Sequence, residues 1–85
     1  MKASLLLVHS DTDFTRHTQH YLSLHGYEVE TAATGQECLE KLALEKTTPK
    51  IAAVELELQQ RHNNTPLSKE IFEHYHIPVV FITRR

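Results

Sequence analysis

The chain is long enough for one small domain only. It has 85 residues, whereas domains usually run to about 100 to 150 residues. Hydrophobic residues make up 40% of the sequence and charged residues 24%, which is ordinary globular usage and excludes a disordered or low-complexity chain. We therefore expect residues 1–85 to form a single folded domain, and a multidomain enzyme is excluded.

Charge and cysteine content exclude several kinds of partner. Nine Lys and Arg against eleven Asp and Glu give a net charge of -2, so there is no large basic surface for nucleic-acid phosphates or anionic lipid. The apolar run 5–8 is too short for a signal-peptide core or a membrane span. The single Cys38 cannot form an internal disulfide and is predicted to be a small buried residue on a helix. We expect a cytoplasmic protein that binds neither nucleic acid nor membrane.

Apolar and β-branched runs predict four short strands. These runs cover residues 3–8, 27–31, 51–58 and 79–83. The third run begins as continuously apolar and then turns polar, as a central parallel strand does where it leaves a sheet. The polar stretch 59–64 follows it as a loop.

Three helices are predicted between these strands. The first covers 12–24, with apolar residues at near-helical spacing and Gly26 as a left-handed C-terminal cap. The second begins at a capping box formed by Thr34 and Glu37. The third runs to about residue 75 and begins after Thr65, with Pro66 at its first position. The spaced apolar residues of the first helix are Phe14, Tyr21, Leu22 and Leu24.

The alternation of strands and helices predicts an α/β fold with three layers. Right-handed crossovers between parallel strands place helices on both faces of one sheet. Ligand chemistry in such sheets gathers outside the carboxyl ends of the strands. The residues to consider for a site are therefore 9–13, 55–64 and Thr83.

Four segments, in order, resemble the receiver domain of two-component response regulators. They are Leu5–Val8 with the polar triplet after it, 21–29, 31–37 and 77–83. The resemblance implies the CheY-like (flavodoxin-like) α/β/α fold, with a parallel sheet of about four strands in the order 2-1-3-4. It also implies a role in bacterial two-component signalling. The family's fifth strand and last helix have no counterpart here, so the chain resembles a C-terminally truncated receiver domain.

The family's phosphorylation residues are mostly replaced. Receiver domains bind Mg²⁺ through two acidic residues after strand one, phosphorylate an Asp after strand three, and use a Ser or Thr after strand four and a Lys after strand five. The matching positions here hold His9 and Ser10, with Asp11 nearby, then Glu55 and Thr83. Imidazole and hydroxyl groups are poor Mg²⁺ ligands, and a carboxylate displaced by about 1 Å can lose roughly 100-fold in rate. We expect no Mg²⁺ cofactor and no acyl phosphate.

The resulting interpretation is a pseudo-receiver that acts as a phosphorylation-independent protein-interaction module and is not an enzyme. Without a fifth strand, the fourth strand becomes an exposed sheet edge, and such edges recruit partners. We expect a dimer or a complex with another protein, formed through this edge or by exchange of a terminal element between protomers. The interface candidates are Val79, Val80, Phe81 and Ile82.

Several alternatives stay open. Asp11, Asp13 or Glu55 could still accept a phosphoryl group from a histidine kinase, with Mg²⁺. Glu55 could instead mimic a phosphorylated Asp, or be a solvated carboxylate at a strand end. Asp13, His17 and His20 lie at i, i+4 and i+7 and could bind Zn²⁺ in a His-rich metal module. His17 could also lie at the core margin, or titrate.

Overall fold

Four strands alternate with three helices along the chain. The computed structural model of the protein describes residues 3–44, 49–56 and 66–82. The elements are β1 (Ser4–Val8), α1 (Thr12–Leu24), β2 (Glu28–Ala32), α2 (Gly35–Leu44), β3 (Ile51–Glu55), α3 (Leu67–Tyr75) and β4 (Val79–Ile82). None of the helices in these ranges has the length and apolar character needed to cross a membrane.

All strand pairs are parallel, and the sheet order is β2-β1-β3-β4. The chain moves from β1 to one side for β2, then to the other side for β3 and β4. Right-handed crossovers therefore place α1 on one face of the sheet and α2 and α3 on the other. The α/β/α layering and the 2-1-3-4 order predicted from the sequence are confirmed.

The main core lies between the sheet and the layer formed by α2 and α3. Alternate side chains of β1 and β3 point to this face and pack against buried residues of the two helices. The buried cluster contains Leu6, Val8, Ala32, Cys38, Leu42, Ala52, Val54, Leu67, Ile71 and Ile77. The predicted burial of Cys38 is confirmed, and burial raises the pKa of its thiol to about 12.

Two of the predicted helix boundaries are fixed by local chemistry. The Glu37 amide donates to Thr34 Oγ1 at 3.1 Å, as the first half of a capping box requires. The Glu37 carboxylate accepts from the Ala33 amide at 2.9 Å, one residue before the amide that a complete capping box would use. Gly26 follows α1 with φ of 91°, a conformation that glycine adopts without strain. Both boundary predictions are confirmed.

Helix α1 differs from the amphipathic helix that the sequence predicts. Thr15 is its only buried residue, while Phe14, Tyr21 and Leu24 are exposed. The spacing of the apolar residues therefore did not predict which side of this helix is buried. Within the described ranges α1 is the only helix on its face of the sheet, so no neighbouring helix covers its apolar side chains.

Four predicted boundaries are wrong by one to three residues. The second strand begins at Glu28 instead of Tyr27 and extends to Ala32. The third strand ends at Glu55, with Leu56 exposed beyond it, while residues 57–58 lie outside the described residues. Pro66 has ψ of 144° and precedes α3 as its N-cap, not as its first helical residue; Thr65 lies outside the described residues.

Candidate functional site

The carboxyl ends of the two central strands bring three of the predicted site residues together. Val8 of β1 pairs with Val54 of β3, so the residues that follow, His9 and Glu55, lie side by side at the same edge of the sheet. Ser10 begins the loop from β1 to α1 and closes over Glu55. We refer to His9, Ser10 and Glu55 as the strand-end cluster.

Ser10 binds the Glu55 carboxylate through two donors. Its backbone amide donates to Glu55 Oε1 at 2.9 Å, and its hydroxyl donates to the same oxygen at 2.8 Å. Glu55 is only 1% exposed. A buried carboxylate is costly unless hydrogen bonds compensate for lost water. The interpretation of Glu55 as a solvated carboxylate is therefore wrong: the carboxylate is enclosed and held by the loop that follows β1.

His9 is also buried, at 5% exposure. Its Nδ1 accepts a hydrogen bond from the Asp11 amide at 3.1 Å, and its ring lies against Phe14 with centroids 4.3 Å apart. An imidazole nitrogen that accepts a hydrogen bond carries no proton, so this arrangement places the proton on Nε2. His9 Nδ1 lies 3.8 Å from Glu55 Oε1. That separation is too long for a hydrogen bond, and a neutral ring forms no ion pair.

The two aspartates near the site serve α1. Asp11 is the N-cap, and its Oδ1 accepts from the Asp13 and Phe14 amides at 3.0 and 3.2 Å. Asp13 Oδ1 lies 3.0 Å from Arg16 Nη2, one turn along the helix. Both carboxylates are thus used in the first turns of α1, where negative charge stabilises a helix.

Asp13, His17 and His20 do not form the Zn²⁺ site that was considered as an alternative. In the part of the chain that the structure describes, no three His, Cys, Asp or Glu side chains are grouped to hold a metal ion, although Asp13, His17 and His20 all lie in that part. His17 is exposed, so the placement of this residue at the core margin is wrong.

A cleft of about 280 Å³ opens beside the strand-end cluster, between α1, the end of β2 and the start of α2. His9 lines it, as do Arg16 and Glu37, but Ser10 and Glu55 do not. A ligand in this cleft would contact His9 and would not reach the Glu55 carboxylate.

The fourth strand forms one edge of the sheet. Among the described residues β4 pairs only with β3. Phe81, 47% exposed, lies on the α3 face, whereas Val80, 46% exposed, lies on the opposite face. A groove of about 460 Å³ between β4 and α3 is lined by Phe72, Val79 and Phe81 among others. The predicted switch residue Thr83 lies outside the described residues.

The sequence did not reveal the partnership of Ser10 with Glu55. The resemblance to receiver domains identified Ser10 only as a replacement for one of the family's two acidic metal ligands. The available signal was a hydroxyl directly after one central strand and a carboxylate at the end of its neighbour, because parallel strand ends meet at one sheet edge.

Several solved structures that are similar to this chain are receiver domains. The N-terminal domain of a response regulator/sensory box/GGDEF 3-domain protein from Carboxydothermus hydrogenoformans is 26% identical with a TM-score of 0.81, and the match covers 96% of this chain and 65% of that one. A CheY-like receiver domain protein from Methanospirillum hungatei JF-1 is 25% identical with a TM-score of 0.74, covering 98% and 65%.

The chemotaxis response regulator CheY4 of Vibrio cholerae is 24% identical with a TM-score of 0.78, covering 95% of this chain and 68% of that one. The chain thus spans about two thirds of the length of these three structures. No protein-family model and no curated protein matches the sequence.

Proposed function

This chain has the CheY-like fold of response-regulator receiver domains, and we propose that it serves two-component signalling as an atypical receiver that works by protein contact and not by phosphoryl transfer. It is then a binding module and not an enzyme. Its single cysteine is a free buried thiol, which agrees with a reducing, cytoplasmic compartment.

The observation that carries the proposal is the enclosure of Glu55. Phosphoryl transfer depends on positioning and on electrostatic stabilisation, usually by bound metal ions. At this site Glu55 Oε1 already accepts two hydrogen bonds from Ser10, and the side chain is almost completely buried. A phosphoryl donor could reach that oxygen only after the loop at Ser10 had opened.

The groups beside Glu55 are also unsuited to Mg²⁺. This ion prefers oxygen ligands in near-ideal octahedral geometry. His9 presents an imidazole whose Nδ1 already accepts the Asp11 amide, and Asp11 caps α1. The residues present therefore do not fit the ion.

Ser10 compensates the Glu55 carboxylate, as a bound cation would otherwise do. Its amide and hydroxyl direct two positive dipole ends at the Glu55 carboxylate, which links the ends of β1 and β3. The loop is thus held in one arrangement without phosphorylation. A module of this kind signals through its surfaces, and the edge strand β4 is the surface that we propose for contact with another protein.

A phosphorylation assay tests this function. The wild-type protein and the Glu55→Asp variant are incubated with Mg²⁺ and acetyl phosphate, beside a phosphorylatable receiver domain as control. We expect intact-mass spectra of both to lack the added phosphoryl group that the control shows, because the variant still has His9 and Ser10 at the metal positions. A phosphoryl group located on Glu55, Asp11 or Asp13 of the wild-type protein would instead establish a residually active receiver.

A further inference from the structure

We propose that the partner bound by β4 is a second copy of this chain, paired antiparallel about a two-fold axis that passes beside Phe81. The inference rests on the proposed function only in taking β4 as a contact surface. It adds the identity of the partner, the direction of pairing and the residues that meet.

The exposed side chains of β4 require a partner that covers both faces of the sheet. Val80 and Phe81 are each about half exposed and lie on opposite faces. A helix or a flat surface laid against one face would leave the other exposed. An added strand covers both faces, because its own side chains also alternate. The strand itself, Val79–Ile82, has none of the charged residues or prolines that protect edge strands in monomers.

The charges on α3 determine the direction of pairing. Lys69 and Glu73 are exposed and lie one turn apart on the same side of α3, and Phe72, which is 59% exposed, lies beside them. Neither side chain forms an ion pair or a hydrogen bond with any other residue that the structure describes. The outer side of α3 thus carries a positive charge toward its amino end and a negative charge one turn further along, next to an exposed aromatic ring.

This pattern is complementary to itself only in antiparallel pairing. Helix α3 runs antiparallel to β4, as the helix of a right-handed crossover does, so Lys69 lies toward the carboxyl end of β4 and Glu73 toward its amino end. Antiparallel pairing sets the carboxyl end of one β4 against the amino end of the other. Lys69 of each copy then approaches Glu73 of the other, whereas parallel pairing would bring like charges together.

The pleat of the strand determines the register. Residues directly opposite in a continuous sheet must point to the same face. An axis beside Phe81 places the two exposed Phe81 rings opposite each other on the α3 face, next to the groove lined by Phe72, and places Val80 opposite Ile82 of the second copy on the other face. Aromatic and β-branched pairs of this kind stabilise neighbouring strands.

Sedimentation of the whole chain over a range of micromolar concentrations tests the inference. We expect the wild-type protein to form dimers. Lys69→Glu and Glu73→Lys should each weaken the dimer on the order of tenfold, and the double variant, which restores opposite charges, should regain most of the affinity. Both side-chain positions are exposed in the monomer, and circular dichroism checks that the fold of each variant is unchanged.

Disulfide trapping tests the register. Phe81→Cys should yield a disulfide-linked dimer under mild oxidation, whereas Leu24→Cys, an exposed control on α1, should not. Cys38 can be retained because it is buried. A monomer at every concentration would overturn the inference, as would a dimer unaffected by the charge changes or one that is trapped equally by both cysteines. None of these results bears on phosphoryl uptake by Glu55, so the inference and the proposed function can fail separately.

Discussion

The strand-end cluster shows how three neighbouring side chains form a closed structure at the end of the sheet. Burial of the Glu55 carboxylate is compensated by Ser10, which supplies two hydrogen-bond donors to one of its oxygens. His9 accepts the next amide of the loop and packs on Phe14. The carboxylate is thereby part of the loop structure, and its removal from that structure would cost stability.

Replacing Ser10 by alanine measures this contribution. Ser10→Ala removes the hydroxyl donor to Glu55 and leaves the amide donor in place. We expect the free energy of unfolding to fall by about 1 to 3 kcal/mol, as is typical for a hydrogen bond to a charged, buried group. Urea denaturation gives the value.

Ser23→Ala is the matched control for this change. The Ser23 hydroxyl donates to the His20 carbonyl oxygen on the exposed side of α1, so its loss should change stability by no more than about 0.5 kcal/mol. Equal effects of the two substitutions would mean that the contact between Ser10 and Glu55 contributes nothing particular to stability.

Cys38 gives the protein a defined sensitivity to alkaline pH. Burial raises the pKa of its thiol from 9.0 to about 12, so the folded state binds this proton more tightly than the unfolded state does. Its contribution to stability is complete below pH 9 and is lost as the pH rises toward 12. We expect the free energy of unfolding of the wild-type protein to decline more steeply in this window than that of Cys38→Ala. Parallel curves for the two proteins would contradict the assigned burial.

At the scale of elements, the two glycines should respond oppositely to alanine. Gly26 has φ of 91° and no atom within 4 Å of an added Cβ, so Gly26→Ala meets only backbone strain and should cost about 1 to 2 kcal/mol. Gly35 begins α2, and an added Cβ there would meet Leu67 at an ordinary 3.5 Å. Gly35→Ala should be neutral or should stabilise by up to about 1 kcal/mol. Similar losses in both variants would contradict the assigned conformations.

Elements with local causes were predictable from the sequence. The Thr34 cap of α2 and the turn at Gly26 depend on residues a few positions apart, and both are present in the structure. The strand order followed from the receiver-domain resemblance. The packing of α1 was not predictable, because it depends on which other elements share its face of the sheet.

The candidate site could be predicted only in its location. Strand ends and topology placed His9, Ser10 and Glu55 at one edge of the sheet. The burial of Glu55 and its bonds to Ser10 join residues 45 positions apart. They depend on the rotation of the loop after β1, which no local pattern in the sequence specifies.

At the scale of the whole molecule, the sheet has an enclosed site at one end and an exposed edge at one side. The strand-end cluster offers no accessible carboxylate, whereas β4 offers apolar side chains on both faces. This contrast supports our proposal that the protein works by contact at the edge and not by chemistry at the strand ends.

The most direct measurement is a nuclear magnetic resonance titration with Mg²⁺ followed by beryllofluoride, which together imitate the phosphorylated state of a receiver domain. The amide of Ser10 reports on the site because it donates to Glu55. We expect its resonance to stay unchanged at millimolar Mg²⁺ and after beryllofluoride is added. Saturable shifts of the Ser10 amide and the Glu55 carboxyl carbon would show that the site binds both ions, and would contradict a phosphorylation-independent module.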